Sequence, residues 1–215
     1  MKAWLIGGLA LVRSLLAIQH VDCTTQFGPC PDDLRSRAQF LLGSAMYLPL
    51  PSREIAQAYS GLPQVAQVTA SRHFPNRIEV KLILRRPIAL VEGPDNQWLV
   101  VDDQGWVFES RSQSALPVIS ITAPVEVGTK LATDQLAAAK MVATVAEIVG
   151  QSVRGRVDGN TLTVTTFSGV EIVLDANKAQ NDWGASLQSI WARSKIDGKL
   201  MHKIDLRFNG ATVSF

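Results

Sequence analysis

Few residues of this chain have a type and spacing that could do chemistry. Cys23 and Cys30 stand seven apart in CTTQFGPCP. Gly28-Pro29 can turn the enclosed loop back and bring the two thiols together, so a disulfide is expected if the compartment is oxidising. Two free thiols are the alternative. Zinc would need further ligands, and His20, His73 and His202 are scattered along the chain. A redox pair would need two intervening residues rather than six. Asp102 and Asp103 are adjacent acids, but neighbours on a strand point to opposite faces and cannot easily share a proton or a metal. They are expected to form a turn. His73 beside a turn and His202 near a strand start read as surface or structural residues. No glycine-rich phosphate loop, nucleophile elbow or HExxH motif is present. The sequence therefore predicts no enzyme, no cofactor, no metal site and no small-molecule substrate.

The elements that would position these residues come next. With 47% apolar and 19% charged residues and a net charge of +2, the composition is that of a folded protein. No dense Lys/Arg block occurs, so nucleic acid is not an expected partner. The basic stretch 72–86 alternates with apolar residues and reads as a solvated strand face. At the N-terminus, MKAWLIGGLALVRSLLAI begins with a cation, continues with uncharged, largely apolar residues 3–12, is interrupted by Arg13 and resumes at 14–18. A short signal-anchor, a cleavable signal peptide and a buried helix are the three readings, and the anchor is favoured.

Ile18 and Val21 suggest a short strand. PDDLRSRAQFLLG then reads as a helix with Leu34, Ala38, Leu41 and Leu42 on one stripe. A shorter helix follows from Ser52, with Ile55, Ala58 and Tyr59 inside and Gly61 stopping it. QVAQVTASRHF and RIEVKLIL read as two strands joined at Pro75-Asn76. In the second, Ile78, Val80, Leu82 and Leu84 share one face. WLVVDDQGWVF reads as a hairpin turning at Asp103-Gln104-Gly105, and SRSQSALPVISITAPVEVGTK is expected to be extended. A helix is predicted over 133–149, with Met141, Val145, Ile148 and Val149 as its apolar face. Strands SVRGRVD, TLTVTTF and VEIVLD follow, joined at Gly159-Asn160 and Ser168-Gly169. A helix over 177–194 carries Trp183, Leu187, Ile190 and Trp191, whose spacing fits core packing or, alternatively, a partner site. The chain closes with strand MHKIDLRF, an Asn209-Gly210 turn and ATVSF.

These elements resemble the bacterial cell-division protein FtsQ/DivIB family. Leu62-Pro63, Val65, Val68, Arg72, Phe74-Pro75-Asn76 and Ile78 are similar to its L-P-x-V…V-x-R-x-x-P-N-x-I signature. Arg85, Pro87 and Ala89 resemble its E-R-x-P-x-A element, with Leu84 where many members carry Glu. Val101-Asp102, Gly105 and Val107-Phe108 resemble V-D-x-x-G-x-V-F, Leu116-Pro117 its L-P segment, and Ile204-Asp205-Leu206-Arg207-Phe208 its D-L-R-[YF] strand. The Cys23–Cys30 loop is not general in that family.

The resemblance implies an α+β fold in three parts. Residues 1–17 would be a hydrophobic helix acting as membrane anchor or signal segment. Residues 18–90 would be a POTRA-like β-α-α-β-β domain, and residues 91–215 a mostly antiparallel β domain with two helices. It further implies a non-enzymatic divisome scaffold in the cell membrane, single-pass, with a short N-terminus inside and the bulk extracytoplasmic. FtsB/FtsL-like coiled-coil division proteins would be its partners, bound by strand addition at a sheet edge. The expected contact residues are Arg207, Phe208, Ala211, Thr212, Val213, Ser214 and Phe215, with Trp183 on the neighbouring helix. A POTRA protein of polypeptide transport or outer-membrane assembly is the main alternative. An exported hydrolase or binding protein is the second.

Overall fold

The structure is a computed structural model that describes residues 17–44, 50–92, 97–112, 115–121, 124–178, 183–198, 201–208 and 210–215. The chain divides between Arg85 and Arg86 into two compact units.

The first unit holds β1 (His20–Thr25), β2 (Gly28–Pro29), α1 (Asp32–Ser36), a 3-10 turn at Gln39–Leu41, α2 (Ser52–Ser60), β3 (Val65–His73) and β4 (Arg77–Leu84). Its four-stranded sheet runs β2-β1-β4-β3, with β1 and β4 parallel at its centre. The period-two pattern of β4 places Ile78, Val80 and Leu82 inward, and they meet Leu34, Ala38, Leu41, Ile55 and Tyr59. Cys23 and Cys30 are joined by a disulfide with a Cα–Cα distance of 5.3 Å, and both are buried in this core. The single helix expected over 31–43 is instead α1 plus the 3-10 turn. The chain has already left helical geometry at Leu42, which is 47% exposed rather than on the inner stripe. A five-residue helix without a side-chain cap has little to propagate it.

The second unit contains β5 (Pro87–Glu92), β6 (Trp98–Asp102), β7 (Val107–Arg111), β8 (Val118–Ser120), α3 (Thr133–Val149), β9 (Val153–Asp158), β10 (Thr161–Thr166), β11 (Glu171–Asp175), α4 (Gly184–Asp197), β12 (Lys203–Asp205) and β13 (Thr212–Ser214). Its nine-stranded sheet runs β13-β12-β11-β10-β9-β8-β5-β6-β7. Leu99, Val91, Ile119, Gly155, Val164, Ile172, Ile204 and Val213 stand side by side from β6 to β13 and form the core face. Helix α3 lies over β5, β8, β9 and β10 and also touches α4. Glycine at 155 is what permits this approach, because a Cβ there would sit 2.4 Å from Val142 Cγ2. Helix α4 ends at Gly198, whose φ of 63° is the left-handed cap glycine adopts readily. Leu187 and Trp191 face the core.

The fold expected from the sequence needs correction. Among the described residues the architecture is mostly β, two sheets with four α-helices, and no helix is long and apolar enough to cross a membrane. The N-terminal hydrophobic helix is not found among the described residues. It was expected on residues 1–17, of which 1–16 lie outside the described residues, and the first described strand is β1. The sequence gives a physical reason, since the apolar run before Arg13 would span only about 15 Å of helix against a bilayer core of about 30 Å. The large sheet is also mixed, because β5–β8, β8–β9 and β11–β12 are parallel pairs. Strand β12 stops at Asp205, so Arg207 and Phe208 occupy the bend after it rather than the strand.

Candidate functional site

The two edges of the nine-stranded sheet are treated differently by the chain. At β7, the segment around Gly128 runs against the outer side of the strand. The Val107 N–H donates to Thr129 C=O at 3.0 Å, and the Gly128 N–H donates to Val107 C=O at 2.8 Å. Further along, Arg111 Nε donates to Glu109 Oε1 at 2.7 Å, so that stretch carries charge. Both are ordinary ways of protecting an edge.

Among the described residues, strand β13 has no such guard. It pairs with β12 through Lys203↔Ser214, Ile204↔Val213 and Asp205↔Thr212, and no described strand pairs with its other side. Thr212, Val213 and Ser214 carry no charge and no proline. Val213 extends the core row, while Thr212 and Ser214 face the opposite, polar side beside Asp205 and Lys203. Alongside the strand lies a groove of about 230 Å³, with Ile190, Met201, Val213 and Phe215 as its apolar lining and Arg193 and Asp197 at its rim. Phe215 is 64% exposed and Phe208 68% exposed, both large apolar side chains left in solvent.

Arg207 is already engaged. Its guanidinium forks onto Asp205, Nη2 to Oδ2 at 2.7 Å and Nε to Oδ1 at 3.1 Å, and its own N–H also donates to Oδ1 at 3.1 Å. It lies 5.5 Å from the centroid of the Phe208 ring. These hydrogen bonds outweigh the opposing desolvation and hold the Asp205 carboxyl below the ordinary carboxylate range.

Six of the sequence-predicted contact residues, Arg207, Phe208, Thr212, Val213, Ser214 and Phe215, therefore gather along β12, β13 and the bend between them. Ala211 is exposed just before β13. Trp183 does not join them. It is 1% exposed at the N-terminal end of α4, packed in the core, and offers no contact surface. Its spacing from Leu187 and Trp191 is that of a buried helix face. Sequence reasoning missed Arg193 and Asp197, whose i,i+4 spacing of opposite charges was the available signal.

The groups that might suggest catalysis do not assemble. On the first sheet, His73 Nε2 lies 3.3 Å from Ser71 Oγ and 3.1 Å from Glu79 Oε2. A serine relay needs the acid and the hydroxyl on opposite ring nitrogens, whereas one nitrogen here serves both. Asp102 Oδ1 accepts from the N–H groups of Gln104 at 2.9 Å and Trp106 at 2.7 Å, so it holds the β6–β7 turn. Among the described residues no group of His, Cys, Asp and Glu is placed to hold a metal.

Comparison with known proteins assigns the second unit to a class, that of the cell-division proteins. The family model described as cell division protein FtsQ/DivIB, C-terminal, matches residues 89–207, more than half of the chain. The chain belongs to the FtsQ/DivIB family. That family is non-enzymatic and membrane-associated, so the chain has a role in cell division among division-complex proteins. No curated protein matches it.

Proposed function

We propose that this chain is a non-enzymatic scaffold of the divisome, attached to the cytoplasmic membrane and working on its extracytoplasmic side at the septum. In this reading it holds coiled-coil membrane proteins of the FtsB and FtsL kind, and the first unit is a POTRA-like domain. The partner contributes an extended segment that adds to the large sheet at β13. The observation that carries the proposal is the asymmetry of the sheet: β7 is shielded by a backbone segment and by charge, and β13 is uncharged and open beside an apolar groove. An added strand satisfies the free backbone groups, and alternate side chains enter the groove on the Val213 side. The disulfide supports the extracytoplasmic location, because such bonds persist in oxidising compartments.

Co-purification of the full chain with the FtsB-like and FtsL-like proteins of its own cells tests this. A second bait carries Thr212→Lys and Ser214→Lys, two exposed or edge positions where charge blocks strand addition without entering the core. Capture should fall at least tenfold with the second bait. Equal capture by both would remove β13 as the site, and no capture by either would remove the scaffold reading.

A further inference from the structure

The chain enters the first unit just ahead of β1, and two turns clamp it there. The Ile18 N–H donates to Ser44 C=O at 2.8 Å, and the Gly43 N–H donates to Ile18 C=O at 2.9 Å. The Gln19 N–H donates to Asn76 C=O at 2.8 Å, and the Asn76 side-chain amide donates to Gln19 Oε1 at 2.9 Å. The turn at Leu42-Gly43 and the β3–β4 turn at Phe74-Pro75-Asn76 therefore flank the entry point. Each exposes an apolar side chain beside it. Phe74 is 79% exposed, more than any other large apolar residue described in this unit, and Leu42 is exposed as well. Charges nearby are matched, with Arg77 lying 3.3 Å from Asp22 and His73 lying 3.1 Å from Glu79. This end thus presents apolar side chains among paired charges.

Exposure alone does not name an occupant, because Phe27, in the turn at the other end of β1, is 67% exposed. Chain continuity does. The uncharged, largely apolar residues 3–12 are followed by Arg13 and Ser14, then by Leu15, Leu16, Ala17 and Ile18. No glycine, proline or longer polar stretch separates them from the clamp. Six residues of chain reach at most about 20 Å, so whatever holds residues 3–12 has the Leu42 and Phe74 turns close by. Under the membrane attachment proposed above, on which this inference rests, that surface is lipid. We infer that the two turns seat this end of the first unit on the phospholipid bilayer, with Phe74 and Leu42 entering the boundary between headgroups and acyl chains. Phenylalanine and leucine are among the side chains that bury at that depth, and removal of their apolar surface from water drives the contact. With Arg77 and His73 already beside acids, the contact is apolar rather than ionic, and a zwitterionic surface suffices. It sets which end of the first unit faces the membrane. Strand β13 takes no part, so partner capture and this contact fail separately.

Fluorescence quenching of the full chain, reconstituted into phosphatidylcholine vesicles, tests this. Phe74→Cys, Leu42→Cys and Phe27→Cys variants each receive a water-sensitive fluorescent label. The native cysteines are bonded to each other and buried, so they do not compete for it. Lipid carrying a nitroxide near the headgroup end of its acyl chain should quench the first two labels at least threefold more than the third. Only those two should shift their emission to the blue. Equal quenching at all three positions, in protein that floats with the vesicles, overturns the inference and leaves membrane attachment standing. A chain that does not float with the vesicles overturns the attachment, and the inference with it.

Discussion

Arg207 has a partner before any other protein arrives. Its fork onto Asp205 uses the donors that a partner carboxylate would want, so a binding acid has to displace Asp205 or use the remaining N–H groups. The pair also fixes a pH dependence. Because the folded carboxyl of Asp205 is held low, its contribution to stability is present above the ordinary carboxylate range. It is lost as pH falls through the lowered folded value. Replacing Arg207 by Gln should raise the titration midpoint of Asp205, followed by carboxyl NMR; an unchanged midpoint would show that the fork is not what holds it down. This engagement was legible in the sequence. Asp205 and Arg207 are two apart at the end of an extended segment, where like-facing side chains meet. The sequence reading counted Arg207 among the partner contacts and overlooked the acid already beside it. For Trp183, the periodicity that suggested a surface was equally the signature of a core, and burial decided between them.

Two elements show how locally the sequence dictates packing and where it stops. Gly155 interrupts the apolar row of the large sheet, and α3 settles into the gap. Gly155→Ala should destabilise the second unit by about 1–3 kcal/mol, the usual range for overpacking, measured by urea unfolding. A neutral result would mean that Val142 moves aside freely. In the first unit, Tyr59 of α2 donates its hydroxyl to Leu34 C=O of α1 at 3.0 Å, and burial pushes its own pKa up despite nearby Arg37. Tyr59→Phe should cost about 1 kcal/mol, with amide exchange in α1 rising first. Helix α3 was readable at both ends because a 17-residue amphipathic stretch contains its own evidence. The short α1 was not, because five residues hold together through tertiary contacts that no local pattern reports. The edge asymmetry was hidden for the same reason, since the segment that guards β7 comes from residues some twenty positions later in the chain.

At the scale of the whole molecule, each unit buries its own core, and one of the two is stapled. The Cys23–Cys30 bond fastens β2 to β1, which is itself paired with β4. Its loss through Cys23→Ser with Cys30→Ser should lower the stability of the first unit by about 2–3 kcal/mol, seen as faster amide exchange in β1. The same bond reports location. Alkylation of the denatured protein from its own cells should label neither cysteine, and labelling of both would count against the extracytoplasmic reading. The strand order of the large sheet has a different kind of consequence. Strands β5 to β7 form one local block and β9 to β13 another, and among the described strands only β8, three residues long and parallel to both neighbours, joins the two side by side. Under mechanical load this is a seam. A force that shears the sheet has those few cross-strand bonds and the packing of α3 across the two blocks to break before they part, so the second unit should tear at Val118–Ser120 and yield in two steps.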